Sequence, residues 1–411
     1  MKRYSEYKDS GVKWIGEIPG HWKICRTRYL CNINTGDKDT VMKEDNGKYP
    51  FYVRSPKIER INTFSYDGEA ILMAGDGVGA GKVFHYANGK FDYHQRVYNM
   101  HNICGVSGKF MFYFIRDQFH YAMEEKNAKS TVDSVRLPWL KAFPIAIPAQ
   151  EEQEAIVTYL DSKVAKIDEY ISIAEKKIAA LEELKQTIIA EAVTRGIHKD
   201  VLMKDSGVKW IGMIPEHWKV MRLSQIAYEH FISNKKIHHQ NLLSLSYGQI
   251  IRKDINGTNG LLPASFDTYQ VVEEGNIILR LTDLQNDHKS LRVGLVKETG
   301  IITSAYLCLA PKNMVYSKFL YFQLHACDIK KVFYSMGDGL RQSLNYDGMR
   351  KLASVIPPLP EQQEIVTYNE AKVAKIDQLC QAERSQIEKL KEYKQRLISD
   401  VVTGKVKVTN D

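Results

Sequence analysis

A glycine-rich segment, GEAILMAGDGVGAGKVFHY over residues 68–86, has residue types that occur in phosphate-binding loops. Backbone amides of such segments can bind phosphate groups. A P-loop requires GxxxxGK followed by Ser or Thr, but here the glycine spacing before Lys82 is wrong and Val83 follows the lysine. A dinucleotide site needs a helix after the glycines, whereas KVFHY favours a strand. We therefore interpret the segment as an exposed turn between two strands, with Lys82 as a candidate nucleic-acid contact.

Arginine and glutamine can bind guanine and adenine edges through paired hydrogen bonds. The first half of the chain has two polar groups of this kind: His94, Gln95 and Arg96 within YHQRVY, and Lys129 and Ser130 ahead of Pro148. The second half has two polar loops, ILRLTDLQNDHKSLRVG and MGDGLRQSLNYDGM, with the candidates Arg280, Gln285, Asn286, Lys289, Arg292, Arg341, Gln342 and Ser343. We predict nucleic-acid contact by these loops as groups and assign no base to any residue. For each single residue, a solvated strand end is an equally good interpretation.

Motifs that would make the chain an enzyme are missing from the sequence. An adenine methyltransferase would need Asn/Asp-Pro-Pro-aromatic, but the pair PP occurs only at 357–358. The run Asp287-His288-Lys289 is too short to indicate a nuclease, and no HxxxH or GxSxG pattern occurs. We therefore predict no catalytic residue, no metal site and no cofactor bound by this chain.

The segments that flank the candidate loops occur twice. DSGVKWIGEIPGHWK at 9–23 and DSGVKWIGMIPEHWK at 205–219 agree at thirteen of fifteen positions. PAQEEQEAIVTYLDSKVAKID from Pro148 similarly matches PPLPEQQEIVTYNEAKVAKID from Pro357, and AVTRG matches VVTGK near the two ends. The segments between them, 24–147 and 220–356, show no comparable identity. One architecture therefore presents two different recognition surfaces.

Each copy ends in a long predicted helix with an apolar stripe of coiled-coil spacing. Glutamates follow Pro148 in the first turn, and Gly196 is the predicted stop. The predicted seam is Val164, Ile167, Ile171, Ile178 and Leu181, with Leu160, Ala174, Leu184 and Ile188 in the same stripe, and Val373, Ile376, Ile387 and Leu390, with Cys380, Tyr393 and Leu397. Asn369 and Glu383 interrupt the second stripe. They either fix helix register or face solvent beside a partner.

These patterns predict a mixed, α+β fold. We expect recognition domain 1 at 1–148, spacer helix 1 at 149–196, recognition domain 2 at 197–357, and spacer helix 2 with its tail at 358–411. Since neither helix is expected to be stable alone, the two should pair as an antiparallel coiled coil with pseudo-two-fold symmetry.

Composition agrees with a protein that stays in the cytoplasm. The net charge of +8 permits a polyanionic partner without proving one. The six cysteines are scattered without a CxxC pair, which favours free thiols. The sequence has no apolar run long enough to span a bilayer, and its N-terminus has no signal-peptide core, so we expect no membrane association.

The repeated DSGVKWIGEIPGHW opening, the LPEQQEIV helix start and the AVTRG or VVTGK ending resemble the specificity subunit of type I restriction–modification systems. The similarity covers the whole chain in order. In that family each mixed α/β domain reads one half of a split, asymmetric DNA target, while the helices set the gap. The resemblance implies double-stranded DNA, two methyltransferase subunits and restriction motor–nuclease subunits as partners. It also places S-adenosylmethionine, ATP and Mg²⁺ on those partners.

Two alternatives stay open from the residues alone. The chain could be a coiled-coil scaffold whose globular parts bind protein, or the divergent segments could hold an enzyme of unrecognised type. A steep fall of DNA affinity with salt would distinguish DNA binding from a scaffold. Methylation of DNA by this chain alone would establish an enzyme.

Overall fold

The computed structural model describes residues 2–127, 134–198, 200–255, 263, 265–284, 291–336 and 343–408. The chain divides into two compact units. Unit 1 is Met1–Ala174 with Arg384–Asp411, and unit 2 is Glu175–Glu383. Each unit therefore contains one divergent segment together with parts of both long helices. The predicted domains, in contrast to these units, are consecutive stretches of the chain.

Unit 1 combines strands with two complete helices and with parts of both long helices. Its strands are β1 (Tyr7–Asp9), β2 (Glu17–Pro19), β3 (Lys23–Arg26), β4 (Asn32–Thr35), β5 (Tyr49–Tyr52), β6 (Glu59–Ile61), β7 (Tyr66–Ala74), β8 (Phe84–Tyr93), β9 (Val97–His101) and β10 (Pro144–Ile147). Its helices are α1 (Gly108–Asn127), α2 (Leu137–Ala142) and α3 (Gln150–Arg195), which continues into unit 2. Six strands form a sheet in the order β4-β9-β7-β8-β5-β6. Within it, only β5 and β8 pair in parallel.

Unit 2 has smaller sheets. Its strands are β11 (Met203–Asp205), β12 (Met213–Pro215), β13 (Lys219–Arg222), β14 (Ala227–Glu229), β15 (Ile232–Ser233), β16 (Leu243–Ser246), β17 (Gln249–Arg252), β18 (Gln270–Val272), β19 (Ile277–Leu279), β20 (Val293–Leu295), β21 (Gly300–Ile302), β22 (Leu307–Pro311) and β23 (Ala353–Ile356). Its helices are α4 (Leu223–Ile226), α5 (Ser317–Ile329), α6 (Tyr346–Met349) and α7 (Leu359–Val402), which continues into unit 1. The main sheet runs β14-β22-β19-β20. The predicted mixed α+β fold is confirmed.

Each copy of the DSGVKWIG segment packs against the end of a long helix. In unit 1, Ile18 and Trp22 share a core with Val401 near the end of α7. In unit 2, Ile214 and Trp218 share a core with Val193 near the end of α3. Burial of these apolar side chains explains why the segment and the helix ending are repeated together.

The predicted apolar stripe forms the buried face of both long helices. All nine predicted seam residues are buried or half-buried. Two further stripe positions, Leu184 and Tyr393, are instead exposed, so their assignment to the buried face was wrong. Ion pairs join α3 to α7 within each unit. In unit 1, Asp168 pairs with Lys394 at 2.5 Å. In unit 2, Lys177 pairs with Glu383 at 2.5 Å and Lys185 pairs with Asp377 at 2.9 Å.

The two interruptions of the stripe do not face solvent. Asn369 is fully buried, and its side-chain oxygen and nitrogen have no hydrogen-bond partner among the described residues. Glu383 is largely buried and pairs with Lys177. The solvent-facing alternative is therefore wrong for both positions. At the repeat-equivalent position, Leu160 is also fully buried.

Replacing Asn369 with leucine should raise the free energy of unfolding of unit 2 by about 1–3 kcal/mol. The reason is that a buried amide without partners gives up its hydrogen bonds to water and forms none in the folded protein. Urea unfolding of the full chain, monitored with a spectroscopic probe placed in unit 2, measures the change in the free energy of unfolding. The matched control is Leu160→Asn, which should lower the stability of unit 1. A less stable Asn369→Leu protein would show that the amide makes a contact worth more than its burial costs.

Candidate nucleic-acid interface

We call the matched segments at 9–23 and 205–219, together with the two long helices, the repeated frame. Each divergent segment begins and ends in one pair of antiparallel strands beside this frame. In unit 1, β3 pairs with β10 so that Lys23 lies opposite Ile147. In unit 2, β13 pairs with β23 so that Lys219 lies opposite Ile356. The two ends of each divergent segment therefore lie side by side in one two-stranded neck. We call residues 24–147 cassette 1 and residues 220–356 cassette 2.

A glutamate in the first turn of each long helix binds the repeated His-Trp pair. In unit 1 the Glu152 carboxylate accepts hydrogen bonds from Trp22 Nε1 at 3.1 Å and from His21 Nε2 at 2.8 Å. In unit 2, Glu361 accepts the equivalent bonds from Trp218 Nε1 at 3.0 Å and His217 Nε2 at 2.7 Å. Glu152, predicted only to suit the helix dipole, and Glu361, for which no role was predicted, therefore join the repeated segment to the helix.

The glutamine that follows each glutamate holds a helix of the cassette. The Gln153 side-chain oxygen accepts a hydrogen bond from the Ser107 backbone N–H at 2.7 Å, just before α1. The Gln362 oxygen accepts one from the Tyr316 N–H at 2.8 Å, just before α5. An otherwise unpaired amide at a helix N-terminus is thereby satisfied in both units. The side chains of the repeated EQ pair therefore serve internal contacts.

The glycine-rich segment of cassette 1 is a turn between β7 and β8, as predicted from its sequence. Asp76 lies on this turn. Its Oδ2 accepts a hydrogen bond from Arg96 Nη1 at 2.7 Å, and its Oδ1 accepts one from Arg54 Nη1 at 3.0 Å. Lys82, near the end of the turn, is exposed. The turn and the YHQR segment thus meet at one end of the six-stranded sheet.

His94 has a different place from the one predicted. It is buried, so it cannot reach a base, and its assignment as a nucleic-acid contact was wrong. Burial, together with the nearby Arg54 guanidinium, lowers the pKa of His94 below its ordinary value. The neutral ring can then accept the Arg96 backbone N–H at Nδ1, at 3.0 Å. The neighbouring Gln95 is exposed and donates to Asp39 at 3.1 Å.

The second polar group of cassette 1, Lys129 and Ser130, lies outside the described residues. The chain that follows it passes beside the glycine-rich turn. The Val135 N–H donates to the Gly75 carbonyl at 2.8 Å.

In cassette 2, Arg292 is fully buried and its assignment as a nucleic-acid contact was wrong. Its guanidinium donates to three backbone carbonyls at 2.8–3.2 Å, those of Arg280, Thr282 and Asp283. These bonds shape the start of the polar loop. Arg280 itself is half-buried.

The two predicted loops of cassette 2 meet in the structure. The Leu344 N–H donates to the Leu281 carbonyl at 2.9 Å, and Ser343 beside it is exposed. Other predicted residues of these loops lie outside the described residues, and they are Gln285, Asn286, Lys289, Arg341 and Gln342. The described parts place both loops side by side, as a joint surface would require.

Sequence reasoning missed Arg54 and Asp76. Arg54 lies in an unremarkable segment and reaches Asp76 across 22 residues of chain. The only available signal was an acidic residue inside a glycine-rich turn. Within the part of the chain that the structure describes, no group of three His, Cys, Asp or Glu side chains could hold a metal ion. None of the described helices is long and apolar enough to cross a membrane.

The sequence is similar to a known protein family and to several of its members. The family model described as "Type I restriction modification DNA specificity domain" matches residues 19–183. The specificity subunit of the Escherichia coli type I restriction enzyme EcoDI is 22% identical over 95% of this chain and 90% of its own length. The MjaVIII specificity subunit of Methanocaldococcus jannaschii is 23% identical over 98% of both chains.

A solved structure reported for the assembly and conformational transition of the type I R-M system resembles this fold. Its TM-score is 0.66 at 13% identity, over 94% of this chain and 98% of that one. At this identity the likeness is one of fold. The sequence similarity and the similarity of fold thus both extend over nearly the whole length of the chain.

Proposed function

We infer the detailed function of this chain from its membership of the type I restriction–modification specificity subunits, the family that its repeated sequence motifs and its relatives indicate. Specificity subunits determine DNA target recognition and are non-catalytic targeting subunits. The finer proposal is that this chain reads a bipartite, asymmetric target, with one half read by each cassette. The observation that supports it is the pair of unlike cassettes held by two like necks. Two different surfaces in equivalent frames suit two different half-sites.

In this proposal α3 and α7 form an antiparallel coiled coil with pseudo-two-fold symmetry, which sets the gap between the half-sites. In unit 2, Lys177 pairs with Glu383 and Lys185 pairs with Asp377, so residue numbers rise along one helix as they fall along the other. The coiled coil docks two methyltransferase subunits, and motor–nuclease subunits join for cleavage. Those partners bind S-adenosylmethionine, ATP and Mg²⁺, and this chain binds no cofactor.

Binding of the complete methyltransferase complex to a pool of random duplexes tests the proposal. We expect recovered sequences to share two unlike half-sites separated by a fixed gap, and affinity to fall steeply with salt as phosphate contacts release counterions. The matched control is the same complex without this chain, which should recover no motif. A motif with two identical halves, or binding indifferent to sequence and salt, would contradict the proposal. DNA methylation by this chain alone would favour the enzyme alternative.

A further inference from the structure

Asp76 stands between two arginines at the tip of cassette 1. We propose that Asp76 positions Arg54 and Arg96 as a paired guanidinium group that reads guanine edges in one DNA half-site. This assignment rests on the proposed function and adds the residues that perform it. Asp76 is the positioning residue, and the two arginines are the specificity-determining residues.

The exposure of the three side chains fits this division. Asp76 is 21% exposed, while Arg54 and Arg96 are 45% and 61% exposed. A guanidinium has five N–H donors in a planar fork, and each arginine uses Nη1 on the carboxylate. The group keeps a net charge of +1, so the acid does not repel DNA. A positively charged group with a planar fork at a surface suits the paired acceptors of a guanine edge.

Two glycines of the turn, Gly75 and Gly79, are explained by the approach of the two arginine backbones. The Gly75 N–H donates to the Arg96 carbonyl at 2.9 Å. A Cβ added at Gly75 would lie 3.0 Å from that same oxygen, and one added at Gly79 would lie 2.5 Å from the Arg54 carbonyl oxygen. A side chain at position 79 would clash with the Arg54 backbone and one at position 75 would crowd the Arg96 backbone, so these two glycines let the turn carry Asp76 between the arginines. The motif that resembles a phosphate loop therefore serves to place a carboxylate.

Arg96 is held at both ends. His94 accepts its backbone N–H, and Asp76 binds its guanidinium. A side chain that is ordered before binding loses less conformational entropy when it binds. A phosphate contact needs charge in roughly the right place, whereas a base contact needs a fixed orientation. The two-ended restraint of Arg96 therefore favours base reading over phosphate binding.

Selection from a random duplex pool with the complete methyltransferase complex tests the assignment. Asp76→Asn should lower the preference for guanine within one half-site by about tenfold, the effect of one lost bidentate contact. The other half-site should be unchanged, and affinity for unrelated duplex should be equal or higher. The matched control is Asp37→Asn, which removes the same charge from a side chain that is 74% exposed and pairs with neighbouring Lys38. This control should keep both half-sites.

A second variant, Arg54→Lys with Arg96→Lys, keeps both charges and removes both planar forks. It should give at least the same loss at the same positions, because both forks are removed, and it tests the assignment even if Asp76→Asn fails to fold. Either folded variant with the motif of the unaltered protein would overturn the base assignment. So would a change of affinity that is equal for all sequences, which would indicate phosphate contact. Absence of any motif with the unaltered protein would instead defeat the proposed function itself.

Discussion

Exchanging residues 24–147 for the corresponding segment of a relative should replace one half of the methylated target and leave the other half unchanged. The neck explains why the exchange is expected to fold. The cut after Lys23 and the cut after Ile147 fall at residues that lie opposite each other in the β3–β10 pair. The paired residues of β3 and β10 that lie inside the cassette are then exchanged together. The hydrogen bonds of Glu152 to His21 and Trp22 lie outside the exchanged segment and are kept.

Sequencing of methylated bases in cells that produce the hybrid complex measures the outcome. The reciprocal hybrid, in which residues 220–356 are exchanged, should replace the other half-site and serves as the matched control. A hybrid cut inside β10 should lose activity, because its strand pair would come from two different proteins. If either exchange altered both half-sites, the cassettes would not be independent readers.

Replacing Trp22 with alanine should lower the free energy of unfolding of unit 1 by about 3–5 kcal/mol, the usual cost of deleting a fully buried tryptophan. Trp22 packs edge-on against Phe110 at 6.3 Å between ring centroids and shares a core with the end of α7. The substitution opens a cavity among these side chains and removes one donor from Glu152. Trp22→Phe should cost less, because it keeps most of the apolar volume.

Hydrogen exchange resolved along the chain distinguishes the two units in this experiment. We expect faster exchange throughout unit 1 in the Trp22→Ala protein, with the frame of unit 2 around Trp218 unchanged. Val41→Ala is the control, since Val41 is 86% exposed and its truncation removes little packing. Equal loss of protection in both units would mean that the frame does not stabilise each unit separately.

Element types followed closely from local sequence. The turn between β7 and β8 was predictable because glycine spacing and strand-forming residues are neighbours in the chain. The long helix after Pro148 was predictable because its apolar residues repeat at helical spacing, and α3 ends at Arg195, just before Gly196. The exposed positions Leu184 and Tyr393 were not, because spacing identifies a stripe without saying how far a partner covers it.

The site residues were harder to predict. His94 and Arg292 have the residue types of nucleic-acid contacts and lie in polar segments, yet both are buried and hold neighbouring backbone. A polar side chain next to a loop has the same local sequence whether it faces inward or outward. Arg54 was missed for the converse reason, since its partner Asp76 is brought to it by the fold.

Residue order alone establishes that this protein is one frame used twice around two unlike segments, because a duplication can be read directly from the sequence. It also determined the long helices, since their periodicity is local. The folded chain was needed to see that the repeated glutamates bind the His-Trp pairs and that a glycine-rich turn places Asp76 between two arginines. Hydrogen bonding and burial depend on residues far apart in the chain, and no local pattern contains them.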